Sequence, residues 1–183
     1  MATCTNYLDD NFAQTNCRSG RTFRRNIPGG GKATFEKKIE KARLQTDDIT
    51  LEDHLDVSIF SKGDRAPADK ELAEMAETIP EYVVIAAYAD IENILLELAK
   101  ALDQPAIKRR MGPGFFGYLE GTKLITPEVT EALMDLYEAR SIATHAKGEN
   151  RITPGQAIEF LRQARILEDA LKKALARLET PKE

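Results

Sequence analysis

TPEVTEALMDLYEARSIATHAKG, residues 126–148, and ENRITPGQAIEFLRQARILEDALKKALARL, residues 149–178, decide the fold. They read as two helices joined by a short polar turn. Thr126 suits the N-cap of the first, its side-chain oxygen accepting a backbone amide, and Pro127 the first position, where a missing N–H costs nothing. Val129, Leu133, Leu136 and then Ala139 or Arg140 follow at spacings of three and four. Ala139, Ala143 and Ala146 form a strip of small side chains that lets another helix approach closely. Lys147-Gly148 ends the helix, with glycine where a left-handed cap is usual. In the second helix Thr153 caps, Pro154 comes first, and Gln156 completes a capping box. From Ala157 through Phe160, Leu161, Ala164, Leu167, Leu171 and Ala174 to Leu175 and Leu178, the i, i+3/i+4 rhythm lasts some six turns.

Upstream, PEYVVIAAYADIENILLELAKALDQ is the longest apolar helix. Val84, Ala87, Ile91, Ile94, Leu95, Leu98 and Leu102 cover one broad face, which makes it a central helix. Before it, Leu72, Met75 and Ile79 have helical spacing, and Pro80 starts the new helix. After it, Asp103, Gln104 and Pro105 stop the helix. Lys108, Arg109 and Arg110 then precede a Gly-Pro-Gly turn and a short helix with Phe115, Phe116 and Leu119. Aromatics beside a basic run can stack nucleobases, but capping the core is the reading preferred for these two. Gly121 ends that helix, and Leu124 and Ile125 are expected to pack inward.

The first third is weaker in signal. Residues 33–45 predict a short amphipathic helix with Phe35, Ile39 and Ala42 on one side, and Thr50 resembles a second helix start. Residues 54–60 fit either a short helix or an extended piece, and 61–69 a loop. The expected organisation is an N-terminal extension over 1–67, largely irregular and partly disordered with short helices, and a bundle domain over 68–180. Strand signals are nearly absent after Ala68, so the class is all-α, a helical bundle of four to five helices.

With 183 residues the chain suits one domain with appendages. A net charge of −4 and a pI near 5.4 leave no global attraction to nucleic acid. Cys4 and Cys17 make no disulfide framework and lack metal-ligand spacing, and His54 stands alone among carboxylates, so no metal or cofactor is expected. Residues 1–32 are basic through Arg18, Arg21, Arg24 and Arg25. Such an arm can grip phosphates, though a solvated tail is the preferred reading. PGGGK fails the phosphate-loop pattern, since Ala33 follows Lys32 and no strand precedes it. No stretch is long and apolar enough to span a membrane, and the N-terminus has no signal-peptide core. A cytoplasmic location is expected.

From about Ile79 to Leu178 the chain resembles the HEPN superfamily of small helical bundles, found in toxins, defence systems and noncatalytic adaptors. The resemblance rests on PEYVVIAAYADIENILLELAKAL, on GYLEGTKLITPEVTEALMDLYEARSIATH and on ITPGQAIEFLRQARIL, in that order. The family's mark is an Arg, four to six residues, then a His, which Arg140-Ser-Ile-Ala-Thr-His145 fits. Ser141 departs from it: catalytic members usually carry Asn, Asp or His directly after the Arg. The resemblance implies metal-independent RNA cleavage, the ribose 2′-hydroxyl attacking the adjacent phosphorus. Arg140 would hold the phosphate charge and His145 would act as general acid or base. It also implies a homodimer with two motifs facing each other, for which the Ala139, Ala143 and Ala146 strip is the expected contact. Histidine titrates near neutrality and guanidinium matches phosphate oxygens, so the chemistry is sensible. Ser141, Lys147 and Arg151 are the candidate substrate-binding residues.

Residues five apart on a straight helix point about 140° apart. Arg140 and His145 therefore converge only if the helix unwinds before Gly148 or a second copy completes the site. Two readings stay open: an endoribonuclease of toxin or defence type, with RNA as substrate and an antitoxin as companion, or a noncatalytic HEPN-like module binding a protein or nucleotide partner. A third is a nucleic-acid-binding regulator acting through the basic arm. On the noncatalytic reading Arg140 pairs with Glu138 or Asp135 at the surface, and His145 settles at the negative end of the helix dipole.

Overall fold

The computed structural model describes residues 31–53, 66–103, 111–146, 148 and 151–179. These form six helices and, among the described residues, no strand. They are α1 (Gly31–Asp53), α2 (Ala66–Ala76), α3 (Pro80–Ala101), α4 (Pro113–Gly121), α5 (Pro127–His145) and α6 (Pro154–Glu179).

Helices α1, α5, α3 and α6 stand around one core in that cyclic order, each packed on its two neighbours. α2 lies over the edge between α3 and α6, and α4 lies on α5. The bundle has the all-α class expected, but the core begins earlier than the expected boundary at 67/68. Phe35, Ile39, Ala42 and Ile49 of α1 are all buried, and the Phe35 ring stacks on that of Phe160 with centroids 6.3 Å apart.

α1 is one helix of 23 residues, so the expected break at Thr50 does not occur. Neither glycine nor proline falls between residues 32 and 53 to interrupt it. Its polar positions are also used. Lys38 Nζ donates to Asp135 of α5 at 2.8 Å and approaches Glu138 at 2.7 Å. Gln45 donates to Glu131 at 2.7 Å, and the buried Thr46 hydroxyl hydrogen-bonds Gln163 of α6. α2 starts at Ala66, inside the expected loop.

The capping signals hold. The Val129 amide donates to Thr126 Oγ1 at 3.5 Å. The Thr153 amide donates to Gln156 Oε1 at 2.9 Å, and the Gln156 amide returns to Thr153 Oγ1 at 3.3 Å, closing the capping box. The apolar face read on α3 is buried, with Leu102 partly so. Phe115, Phe116, Leu119 and Ile125 are buried too.

Ile79 departs from expectation. It is 49% exposed, because α2 ends at Ala76 and Ile79 is the residue that leads into α3. The end of α5 also differs: the helix stops at His145, with extended backbone at Ala146, and Gly148 takes its positive φ of 58° beyond that cap. Glycine adopts that region without the Cβ penalty, and it lets the chain turn towards α6.

α6 is buried almost all round between Phe160 and Glu168. Three of those buried residues are polar: Gln163, Arg165 and Glu168. Arg165 donates to Asp69 of α2 at 2.7 Å, to Asp90 of α3 at 2.7 Å and to Glu168 at 2.9 Å. Burial opposes its charge, but the hydrogen bonds to Asp69 and Asp90 outweigh this and raise its pKa. The guanidinium thus pins α2 and α3 to α6.

Candidate functional site

Arg140 leaves α5 beside the buried Ala139 and turns toward α3. Its guanidinium carbon sits 5.4 Å from the centre of the Tyr88 ring, and Nη2 lies 3.5 Å from Glu92 Oε1. Both charged side chains are 34% exposed, so the pair sits at the surface with one side against the bundle. A cation over an aromatic face is attracted by the ring quadrupole, at about 0.5–1 kcal/mol for partly exposed cases. The Glu92 contact is an ion pair beyond good hydrogen-bond length and worth less.

The expected partners of Arg140 are engaged elsewhere. Asp135 and Glu138 both take Lys38 of α1, and Asp135 also takes Lys41 at 3.3 Å. Arg140 and His145 stand five positions apart on regular helix, with four residues between them, so the two side chains diverge by about 140°. The helix does not unwind before His145. Within one chain the motif's two residues are not brought together.

His145 occupies the last turn of α5 and is exposed, its side chain making no hydrogen bond or ion pair with any described residue. Ser141 is exposed on α5. Lys147 lies outside the described residues, as do Lys108, Arg109, Arg110, His54, both cysteines and the basic arm. Arg151 is bound: Nε and Nη2 donate to the two oxygens of Glu81 at 2.9 and 3.1 Å. That bidentate pair holds the Glu81 carboxyl below its usual range. Arg140 and Arg151 therefore both rest on carboxylates of α3.

The alanine strip is not a free surface. Ala139 is fully buried and Ala143 is 2% exposed within the chain's own core, with Ala146 half-buried. The close approach their size permits is used inside the bundle, so a second copy cannot dock on that face as expected.

Sequence reading missed Tyr88 and Glu92. They are four positions apart, so they share the edge of α3 that flanks its buried face. A tyrosine and a glutamate one turn apart at such an edge is the signal that could have found them. Tyr88 is fully buried, its ring 6.4 Å from that of Tyr137, and its hydroxyl has no hydrogen-bond partner among the described residues. Burial raises its pKa, the Glu92 charge adds to that, and Arg140 opposes it. The cluster thus offers one surface guanidinium backed by two phenol rings, with a carboxylate competing for it. An oxyanion of phosphate size could replace Glu92 there, since guanidinium binds phosphate in a fork.

A shallow recess lies at the other end of α5, lined by residues including Thr126, Val129, Ala170 and Lys173. Val129 is about 16 Å along the helix from Arg140, from the 1.5 Å rise per residue. No helix described here is long and apolar enough to cross a membrane, and no three His, Cys, Asp or Glu among the described residues gather to hold a metal ion. Compared with known proteins, the chain matches no family model, no curated protein and no solved structure.

Proposed function

We propose that the chain is a HEPN-like bundle acting as a metal-independent endoribonuclease of the toxin or defence type, its site completed by a second copy. The observation that supports this is Arg140: a guanidinium resting on a tyrosine ring, partly exposed, and paired among the described residues by a loose contact with Glu92. It can exchange Glu92 for the bridging phosphate of RNA and hold the charge that grows on its oxygens. The 2′-oxygen then bonds to phosphorus as the bond to the 5′-oxygen breaks, leaving a 2′,3′-cyclic phosphate. The 2′-hydroxyl proton must leave and the 5′-oxygen must gain one, tasks suited to histidine. Each of the two sites takes its Arg140 from one copy and its His145 from the other, and that one histidine takes the 2′-hydroxyl proton and delivers it to the 5′-oxygen.

A noncatalytic module binding a protein or nucleotide partner is the second reading. Its supporting observation is the divergence of Arg140 and His145 along a regular helix, with Arg140 already paired to Glu92. Incubation with single-stranded RNA in excess EDTA separates the two. Cleavage to 2′,3′-cyclic phosphate ends, lost in Arg140→Ala and His145→Ala at unchanged melting temperature, is the nuclease outcome. A folded wild type and Ser141→Asn variant that both leave RNA intact would leave the module.

A further inference from the structure

One face of α3 has no partner among the described residues. Tyr82 is 49% exposed and Ile85 38%; Ala89 is exposed and Leu96 half-buried. At 100° per residue these four fall within an arc of about 60°, opposite the buried arc of Ala87, Ile91 and Leu98. We propose that a second copy of the chain docks on this stripe, with the two α3 helices antiparallel and the two-fold axis at Ala89. The proposal rests on the two-copy reading above and names the surface that makes the pair.

Spacing and charge both support a second copy as the occupant. A two-fold contact must be self-complementary, each residue meeting one equally far beyond the axis. Tyr82 and Leu96 stand seven positions to either side of Ala89, so each meets the other in the second copy, and the alanine lets the helices approach. Ile85 lies over the second copy's Asn93. At the ends of the stripe stand Glu77 and Lys100, both exposed and neither paired with a described side chain. Eleven positions past the axis, Lys100 reaches past the second copy's Pro80 to the turn between α2 and α3 that carries Glu77. Antiparallel docking therefore closes a lysine–glutamate contact at each end, whereas parallel docking would set lysine against lysine. A strip about 35 Å long and about 10 Å wide is smaller than the ~800 Å² per partner of standard interfaces, which makes the pair a weak, transient one.

The arrangement also serves the site. Glu92 is three positions from the axis, on the edge of the stripe where α5 flanks α3. Rotation about the two-fold keeps that edge on the same side, so the Glu92–Arg140 pairs of both copies line one rim, about 9 Å apart along the helix axes.

Sedimentation velocity from about 1 to about 100 μM tests the proposal on the full chain, with thermal melts confirming that each variant folds. Wild type is expected to pass from monomer to dimer over this range. Ala89→Arg should raise the dissociation constant at least tenfold, since it buries a charge on the axis. Lys100→Glu and Glu77→Lys should each weaken association about fivefold, from two surface ion pairs per dimer, and the double variant should restore it. Leu44→Lys, on α1 and 57% exposed, should change nothing. A dimer indifferent to Ala89→Arg and to the charge swap overturns this interface and leaves the two-copy reading standing. A wild type that is monomeric at 100 μM overturns both.

Discussion

Arg140 of α5 lies over Tyr88 of α3, the guanidinium carbon 5.4 Å from the ring centre. The contact fixes a candidate phosphate-binding cation to the middle of the bundle rather than to a loop. Its orientation therefore depends on the ring, while the Tyr88 hydroxyl, buried and without a partner among the described residues, makes no hydrogen bond to it.

Tyr88→Phe should accordingly leave stability unchanged or raise it by about 1 kcal/mol, because an unsatisfied buried hydroxyl is removed and the ring stays. Tyr88→Leu should lower it by more than the lost cation–π attraction of about 0.5–1 kcal/mol, since packing against Tyr137 goes as well. Urea melts of the two variants check both. A marked loss in Tyr88→Phe would show that the hydroxyl has a partner.

Phe35→Ala should destabilise by about 3–5 kcal/mol, the usual cost of truncating a buried phenylalanine. A chain starting at residue 66 should lose its cooperative helical melt, since it lacks one side of the four-helix core. Circular dichroism of the truncated chain checks this, and a cooperative melt would show that α1 is dispensable.

The reason α1 was legible only as a short helix over residues 33–45, and not as one side of the core, is physical. Its apolar residues Phe35, Ile39, Ala42 and Ile49 are sparse, and much of its inner face is polar. Gln45, Thr46 and Lys38 hydrogen-bond Glu131, Gln163 and Asp135, residues about a hundred positions away that no local pattern reveals. Helix starts were legible because Thr126 and Thr153 act within their own first turns. The same division runs through the site. The Arg140–His145 spacing was visible, and so was its divergence on a straight helix. That Arg140 would choose Glu92 over Asp135 or Glu138 depended on α1 bringing Lys38 to those two carboxylates.

Arg165→Met should cost about 3–5 kcal/mol, because it leaves Asp69 and Glu168 buried without their shared cation. Asp90, at the surface end of the same network, should matter less: Asp90→Asn keeps the Asp69 and Glu168 contacts. Chemical denaturation of both variants gives the comparison, and equal losses would contradict the ranking.

Glu81 has a carboxyl held below its ordinary 4.5 by Arg151. A depressed acid stabilises the fold above its unfolded value, and that contribution is lost as pH falls through the folded one. Glu81→Gln should therefore melt below wild type at neutral pH, and the gap should close as pH is lowered through and below 4.5. Paired thermal scans at falling pH check it; a gap that persists in acid would show that packing rather than charge sets the difference.

Mixing two inactive variants tests the shared site most directly. In a dimer built from one Arg140→Ala chain and one His145→Ala chain, one composite site keeps an intact Arg140 and an intact His145 on different copies. The account predicts that each variant alone leaves single-stranded RNA uncut in EDTA. Their mixture should regain up to about a quarter of wild-type cleavage after exchange, since half the dimers are mixed and each restores one of two sites. Wild-type cleavage with no recovery in an exchanged mixture would contradict a site shared between copies, and a folded, dimeric wild type that cuts no RNA would contradict the nuclease itself.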